Sequence, residues 1–510
     1  MRYRVALLLF LSTGMFLLCN VQDWFAWTRL QVEGLLFPGR SLVHQASSDR
    51  AAAGEPVMTA QTGLAEPAAT SPAPSIREEP INIPSYPYEA YLHDVYTPTL
   101  RTTFTKLDWD AYEQSTLPLA NRQLTAVVLE NVFLKLTVLP ELGGRIYSCV
   151  FKPTGHNEFY QNPVLKPTRW GPVEQGWWLA AGGMEWCFPV DEHGYETAVP
   201  WRYHTLQTSA GVTATVWSEP SAQHLTVQVD VHLPNGRSYF AVTPHVRNST
   251  DRALDYKFWI NAMLSPGGTN APSGLLQLIF PTDQMTVHSR DVRWNALPQP
   301  GEPMDWPVRG GVDLSLLGNW PHYLGCFERP AAVNGFMGAY DGAVEEGIVR
   351  VFPGGTARGA KAFAFGYGDG ALKPELWTDD GSSYVEIHGG VAPTFADYAT
   401  LAPHSELTWT EFWYPVAAIG GVVAANSDAA LNLERAADGI HVGVATTSNR
   451  SDLVLAVRRR ADNSLVQCDV IPRIGPARPF LVGPIPSQGI DPADLAVVLT
   501  AGNGQTILSY

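Results

Sequence analysis

From Tyr86 to about Ala425, apolar and polar residues alternate in short runs, the two-residue period of half-buried strands. Residues 126–130 and 133–139 form the first such pair, with Asn131 at the turn between them. Residues 213–217, 225–233, 239–247 and 256–263 continue the series, and residues 276–280, 347–351, 362–365 and 407–414 extend it. PNGR at 234–237 and NSTD at 248–251 supply the residue types that tight turns need. No helical period lasts more than a few turns, which argues against a βαβ enzyme. So many antiparallel strands predict large stacked sheets over residues 86–425.

After about Ala425 the runs become shorter. Residues 431–434, 440–445, 453–458, 465–470 and 495–499 alternate, with turns at Asp438-Gly439, Asp462-Asn463 and residues 502–504. This predicts a small immunoglobulin-like β-sandwich over 426–510, with a packing or spacing role. The fold class is therefore all-β.

The N-terminal 85 residues follow neither pattern. Arg2 and Arg4 precede an apolar run from Val5 to Leu18, so residues 1–22 read as a signal peptide or a signal anchor. No small-residue cleavage site follows, which favours an uncleaved anchor. Basic residues on its N-terminal side would leave the rest of the chain outside the cytoplasm, membrane-anchored, or secreted if the leader is cleaved. Residues 23–85 read as a juxtamembrane segment, with Trp24, Phe25 and Trp27, and then a flexible Ala/Pro/Ser-rich linker.

Composition narrows the partners. The formal net charge is −15, and no basic stripe exists to hold phosphates, so nucleic acid is not an expected partner. Cys149, Cys187, Cys326 and Cys468 show no metal-ligand spacing, and a disulfide among them is open. There is no phosphate-binding loop, nucleophile elbow or zinc cluster; neither a cofactor nor a metal is expected.

Candidate chemistry gathers in residues 181–201, AGGMEWCFPVDEHGYETAVPW. Gly182 and Gly183 permit backbone conformations that aim Glu185 and Trp186 into a concavity. His193 stands among Asp191, Glu192 and Glu196, a setting that favours its charged form. Trp170, Trp177, Trp178, Trp186, Trp201 and Trp259 lie in or near this stretch or its partners. Sugar rings carry apolar C–H faces that stack on such planes, so a carbohydrate is the expected ligand.

His193-Gly194-Tyr195 followed by Pro200-Trp201 resembles a stretch of the aldose 1-epimerases and their hexose-6-phosphate relatives. Three further patches extend the resemblance: LENVFLKLTVLPELGGRIY at 129–147, DYKFWINAML at 255–264, and YVEIHGG at 384–390 with the later 401–403 and 409–415. Residues 182–189 bring the chain nearest to an uncharacterised bacterial family of mutarotase-like domains often found beside helical TPR-type repeats. The resemblance implies a galactose mutarotase-like β-supersandwich over residues 86–425. It also implies Glu386 as the catalytic base and His193 as a sugar contact. The position of the epimerase acid histidine falls near Lys257, and Asn261 matches a later Asn. Thr197 replaces the arginine that usually follows the His-Gly pair.

Several roles stay open on the residues alone. Glu185 and Glu386 could act as paired carboxylates for glycoside hydrolysis, or Glu185 could bond amides of its own loop. Arg145 is a sugar-hydroxyl donor or a fork holding a carboxylate; His388 is a second sugar contact or an ordinary strand histidine. The candidate set is Glu386, Glu185 and His193 for catalysis. Arg145, Trp186, Trp201, Trp259, Asn261 and His388 are the candidates for substrate binding. Three functions are compatible with it. One is an extracytoplasmic enzyme acting at an anomeric or glycosidic centre, of hydrolase or epimerase type. The others are a non-catalytic carbohydrate-binding module and a surface scaffold.

Overall fold

The computed structural model describes residues 72–218, 225–330, 335–486 and 489–510. The proposed leader and most of the juxtamembrane segment and linker lie outside the described residues. Among the described residues no helix is long and apolar enough to cross a membrane. The α-helical piece among the described residues is one turn, Trp109–Glu113, capped by the Asp108 carboxylate accepting from the Ala111 amide.

Two large sheets face each other, one of 14 strands and one of nine. Their inner faces meet in one core: Val127, Leu136, Ile146, Met184, Ile260 and Ile387 come from the larger sheet. Val216, Val229, Val242, Met337, Ile348 and Trp413 come from the smaller. The large stacked sheets predicted from alternation, and the all-β supersandwich that the resemblance implies, are the architecture observed. Two predicted strands each split in two. Residues 256–263 contain the end of Leu254–Tyr256, which pairs with Ala399–Leu401, and most of Trp259–Leu264, which enters the large sheet. Residues 407–414 likewise divide between Ser405–Thr408 and Glu411–Ala417.

The linker boundary requires correction. Ser75–Ser85 is not a flexible spacer but a strand paired antiparallel with Ala120–Glu130, from Ser75 opposite Glu130 to Ser85 opposite Ala120. Its charges and two prolines hide the pattern, yet Ile83 is buried against Leu124, Tyr88 and Leu165.

Beyond Ala424 two four-stranded sheets pack around Leu431, Val442, Leu455, Val457, Val497 and Leu499. This is the predicted C-terminal sandwich. It is tied to the larger domain by Tyr414, Val416 and Ile419 packing on Ala430 and Ala445, and by the Ser238 amide donating to the Thr447 carbonyl.

Cys149, Cys187 and Cys326 are buried free thiols and Cys468 is an exposed one, so none of the four forms a disulfide.

The Ser75–Ser85 strand gives a test of the boundary. A chain beginning at residue 86 loses the ladder to Ala120–Glu130 and the burial of Ile83, a loss of at least about 2 kcal/mol. It should melt at least about 2 °C below a chain beginning at residue 72. Equal melting temperatures by calorimetry would return these residues to the linker.

Candidate functional site

The larger sheet has a second face, and the two-residue period places the chemistry there. Met184 and Trp186 point into the core, so Glu185 and Cys187 point away from it; Val385 and Ile387 do the same for Glu386 and His388. Register then lines up a polar row. Glu185 is opposite Asn261, Asn261 opposite His388, and His388 opposite Lys361, across four neighbouring strands.

Gly182 and Gly183 join the strand Trp178–Gly182 to the strand Met184–Cys187, with φ of 84° and 80°. A Cβ on Gly183 would stand 2.4 Å from the Ile146 carbonyl oxygen, so only glycine lets these backbones meet. What reads as a Gly-rich loop is therefore a strand–corner–strand, and Glu185 is a strand residue.

Glu185 is 1% exposed and held on every side. His193 Nδ1 lies 2.6 Å from its Oε1, the Trp178 indole donates to Oε2 at 3.1 Å, and Asn261 Nδ2 donates at 3.3 Å. Arg145 Nη2 lies 3.4 Å from Oε2. That Nη2 also donates to the Thr197 carbonyl, and Nε and Nη1 donate to the Leu142 and Gly182 carbonyls. Arg145 is thus the carboxylate-holding fork, not a sugar donor.

A cavity of about 430 Å³ opens over this row, lined among others by His193, Glu386, Glu192, Trp170, Phe363 and Tyr384. His193 stacks on Trp178 at 4.1 Å between ring centres, and its bond to Glu185 leaves Nε2 for the cavity. Burial opposes charge on His193, but the Glu185 carboxylate and its hydrogen bond, with Glu386 and Glu192 nearby, outweigh it and raise the pKa above 6.5.

Glu386 is backed by His388 Nε2 at 2.9 Å and by Asn261 Nδ2 at 3.4 Å. Burial alone would raise the Glu386 carboxyl; the His388 hydrogen bond and the His193 and Lys361 charges bring it below 4.5. His388 itself is driven down to about 4, by burial first and then by the Lys361 charge. A neutral ring fits its surroundings, because Nδ1 is buried with no partner and a second N–H there would face no acceptor. His388 therefore donates Nε2–H to an ionised Glu386.

The structure brings Glu386 and His193 together on the cavity wall, with Glu185, Arg145, Asn261 and His388 directly behind them. Besides Arg145, Asn261 and His388, which are fully buried behind the wall, it removes three tryptophans from the expected sugar contacts. Trp186 lies in the inter-sheet core with its indole N–H on the Gly144 carbonyl, and Trp201 is buried in the same core. Trp259 is enclosed by Cys187, Phe327 and Phe395. Trp186 adjoins Glu185 in sequence, and strand alternation turns it to the apolar side; Trp259 shares the face of Asn261 but is sealed in an aromatic cluster. Trp170 and Trp178 are the tryptophans that do line the cavity. Lys257 is not at an acid position either: its ammonium is bound to Asp191 at 2.8 Å and to the Phe395 carbonyl.

Sequence reasoning missed His288, Lys361 and the wall contribution of Glu192. Only Lys361 carried a signal, as a charged residue inside the otherwise apolar run of residues 360–365. Among the described residues no group of three or more His, Cys, Asp and Glu is placed to hold a metal ion.

With this geometry in view, the chain can be set beside known proteins. Residues 106–416 match a domain of unknown function, DUF5107, and residues 424–510 match the second domain of YphG-like proteins. A TPR-domain containing protein from Parabacteroides distasonis is 21% identical, with a TM-score of 0.56 over 68% of this chain. The chain spans 56% of that protein's length, and the likeness is one of fold. Similar solved structures are mostly aldose 1-epimerase or galactose mutarotase-like proteins. One is a galactose mutarotase-like protein from Clostridium acetobutylicum: 12% identity, TM-score 0.42, 58% of this chain and 96% of that one. Another is a galactose mutarotase related enzyme from Lactobacillus acidophilus: 10% identity, TM-score 0.37, 57% of this chain and 97% of that one. With its match over residues 106–416, the chain belongs to the DUF5107 family.

Proposed function

We propose that this protein is a carbohydrate-active enzyme whose cavity performs acid–base chemistry at the anomeric centre of a sugar. The observation that carries the reading is the pairing on one cavity wall of His193, backed by Glu185, with Glu386, backed by His388 and Asn261. One group is poised to give a proton and the other to take one at the same pH. Glu386 would accept the proton of the O1 hydroxyl while His193 Nε2 delivers one to the ring oxygen. The ring C–O bond breaks as the carbonyl forms. Rotation about C1–C2 and reclosure, with both protons returned, gives the other anomer.

Hydrolysis by paired carboxylates is less well supported. Glu185 lies behind His193, bonded to it and to Arg145, and is not part of the cavity wall. The second carboxylate on the wall, Glu192, is held well below the usual range; burial opposes this, and the Lys361 charge and the His288 hydrogen bond prevail. Neither wall carboxylate is then a protonated acid at neutral pH, which glycoside hydrolysis of that type requires.

We also propose that the domain works outside the cytoplasm, a reading that rests on the Arg-flanked apolar run of residues 2–18.

The test is anomer interconversion, followed by NMR on a panel of reducing sugars. Glu386→Gln keeps shape and removes the base, so turnover should fall about 10²–10⁴-fold. Sugar affinity, set by stacking and neutral hydrogen bonds, should change by no more than about 1.5 kcal/mol. Binding without turnover on any sugar would make the protein a binding module instead.

The pH profile supplies a second check. Below its lowered pKa Glu386 takes up a proton and the base is lost; above its raised pKa His193 loses its proton and the acid is lost. The midpoint of the acidic limb should therefore lie below pH 4.5 and that of the alkaline limb above pH 6.5, with the rate highest between them. Glu386→Gln should abolish the acidic limb and His193→Gln the alkaline one. A limb that survives its own substitution would show that the wrong group has been assigned.

A further inference from the structure

Glu192 is an ionisable group of the cavity wall that the acid–base pair leaves unused. Its Oε1 lies 3.0 Å from His288 Nε2 and 3.1 Å from Lys361 Nζ. Both contacts fall on that one oxygen, and the side chain is 41% exposed, so Oε2 faces open space. The two holders stand on the strands Gln284–Arg290 and Gly359–Ala364, which fixes the carboxylate to the sheet and not merely to its own loop.

Lys361 is 1% exposed, between the Phe395 and Phe363 rings at 4.5 and 5.5 Å. A buried ammonium that lost its carboxylate would be strongly destabilising, so the pair is obligatory. Loop anchoring alone does not account for it, since neighbouring Asp191 already ties the loop to Lys257. What Glu192 adds is an acceptor on the wall. The wall carries two carboxylates, Glu192 and Glu386, with His193, His288 and Arg169, and His288 is taken up by Glu192 Oε1. Arg169 offers an incoming anion little, being bonded to Glu113 at 2.6 Å and stacked on the Trp109 ring at 4.3 Å.

We propose that Glu192 is the specificity residue of this site, its Oε2 accepting hydroxyl hydrogen bonds from an uncharged sugar and turning away sugars that carry a phosphate or carboxylate. The proposal rests on the sugar reading above and narrows it to neutral substrates.

The test uses the full chain and titrates D-glucose, D-galactose, their uronic acids and their 6-phosphates, read by calorimetry. Neutral sugars should bind at least tenfold more tightly than the corresponding acids. In Glu192→Gln the neutral sugars should weaken on the order of tenfold to a hundredfold, and the gap to the acids should close to within about threefold. His288→Gln leaves the carboxylate in place, so affinity should drop less and discrimination should survive. Acids binding as well as neutral sugars would overturn the assignment of Glu192 while leaving a sugar site standing. So would a Glu192→Gln protein that melts like the wild type and still discriminates. Failure of every sugar to bind the wild type would overturn the sugar reading itself, and the assignment with it.

Discussion

The site is built on the Glu185 carboxylate, buried at the meeting of several backbones. An isolated buried carboxylate is prohibitively costly, and here the charge is met by Arg145, by His193 and by two neutral donors, Trp178 and Asn261. Each partner arrives on a different element: the strands Arg145–Phe151, Trp178–Gly182 and Trp259–Leu264, and the loop after Met184–Cys187. Removing any one would leave a buried charge short of a partner. The same requirement that ties the strands together thus sets the position of the imidazole that faces the cavity.

Two histidines, both buried and both hydrogen-bonded to glutamate, are shifted in opposite directions. His193 meets Glu185 through Nδ1 with two more carboxylates nearby, and its charge is favoured. His388 faces the Lys361 ammonium, and its unpartnered Nδ1 could not host a second proton. What separates them is which charges the sheet register places beside each ring: Lys361 lies directly opposite His388, while Glu185 and Glu192 flank His193. The proposed acid–base pair rests on that placement.

Much of the fold was legible in the sequence, because one-sided burial imposes a two-residue period that needs no long-range information. Strands such as Thr226–Pro234 and Phe240–Asn248 lie within a residue or so of the alternation that marks them. Ser75–Ser85 was not legible, since its charged and proline positions mask a ladder visible only from its partner. In the site, Glu386 and His193 could be named from motif resemblance. The roles of Arg145 and Glu185 could not, because holding a charge and touching a ligand call for the same residue types. The tryptophans misled for a related reason: Trp186 adjoins Glu185 in sequence, and in a strand adjacent side chains point to opposite faces.

The backbone at the imidazole adds one more constraint. Glu192, His193 and Gly194 have φ of 29°, 67° and 66°, a left-handed run in which only the glycine is at ease. Such a run persists only if its surroundings over-determine it. Charges do so from both sides: Asp191 on Lys257, Glu192 on Lys361 and His288, and His193 on Glu185. Three consecutive side chains are ion-paired to fixed partners on four different strands or their ends, which leaves the loop little freedom to relax. The imidazole is consequently presented to the cavity in one orientation before any ligand arrives, the preorganisation that acid–base catalysis depends on.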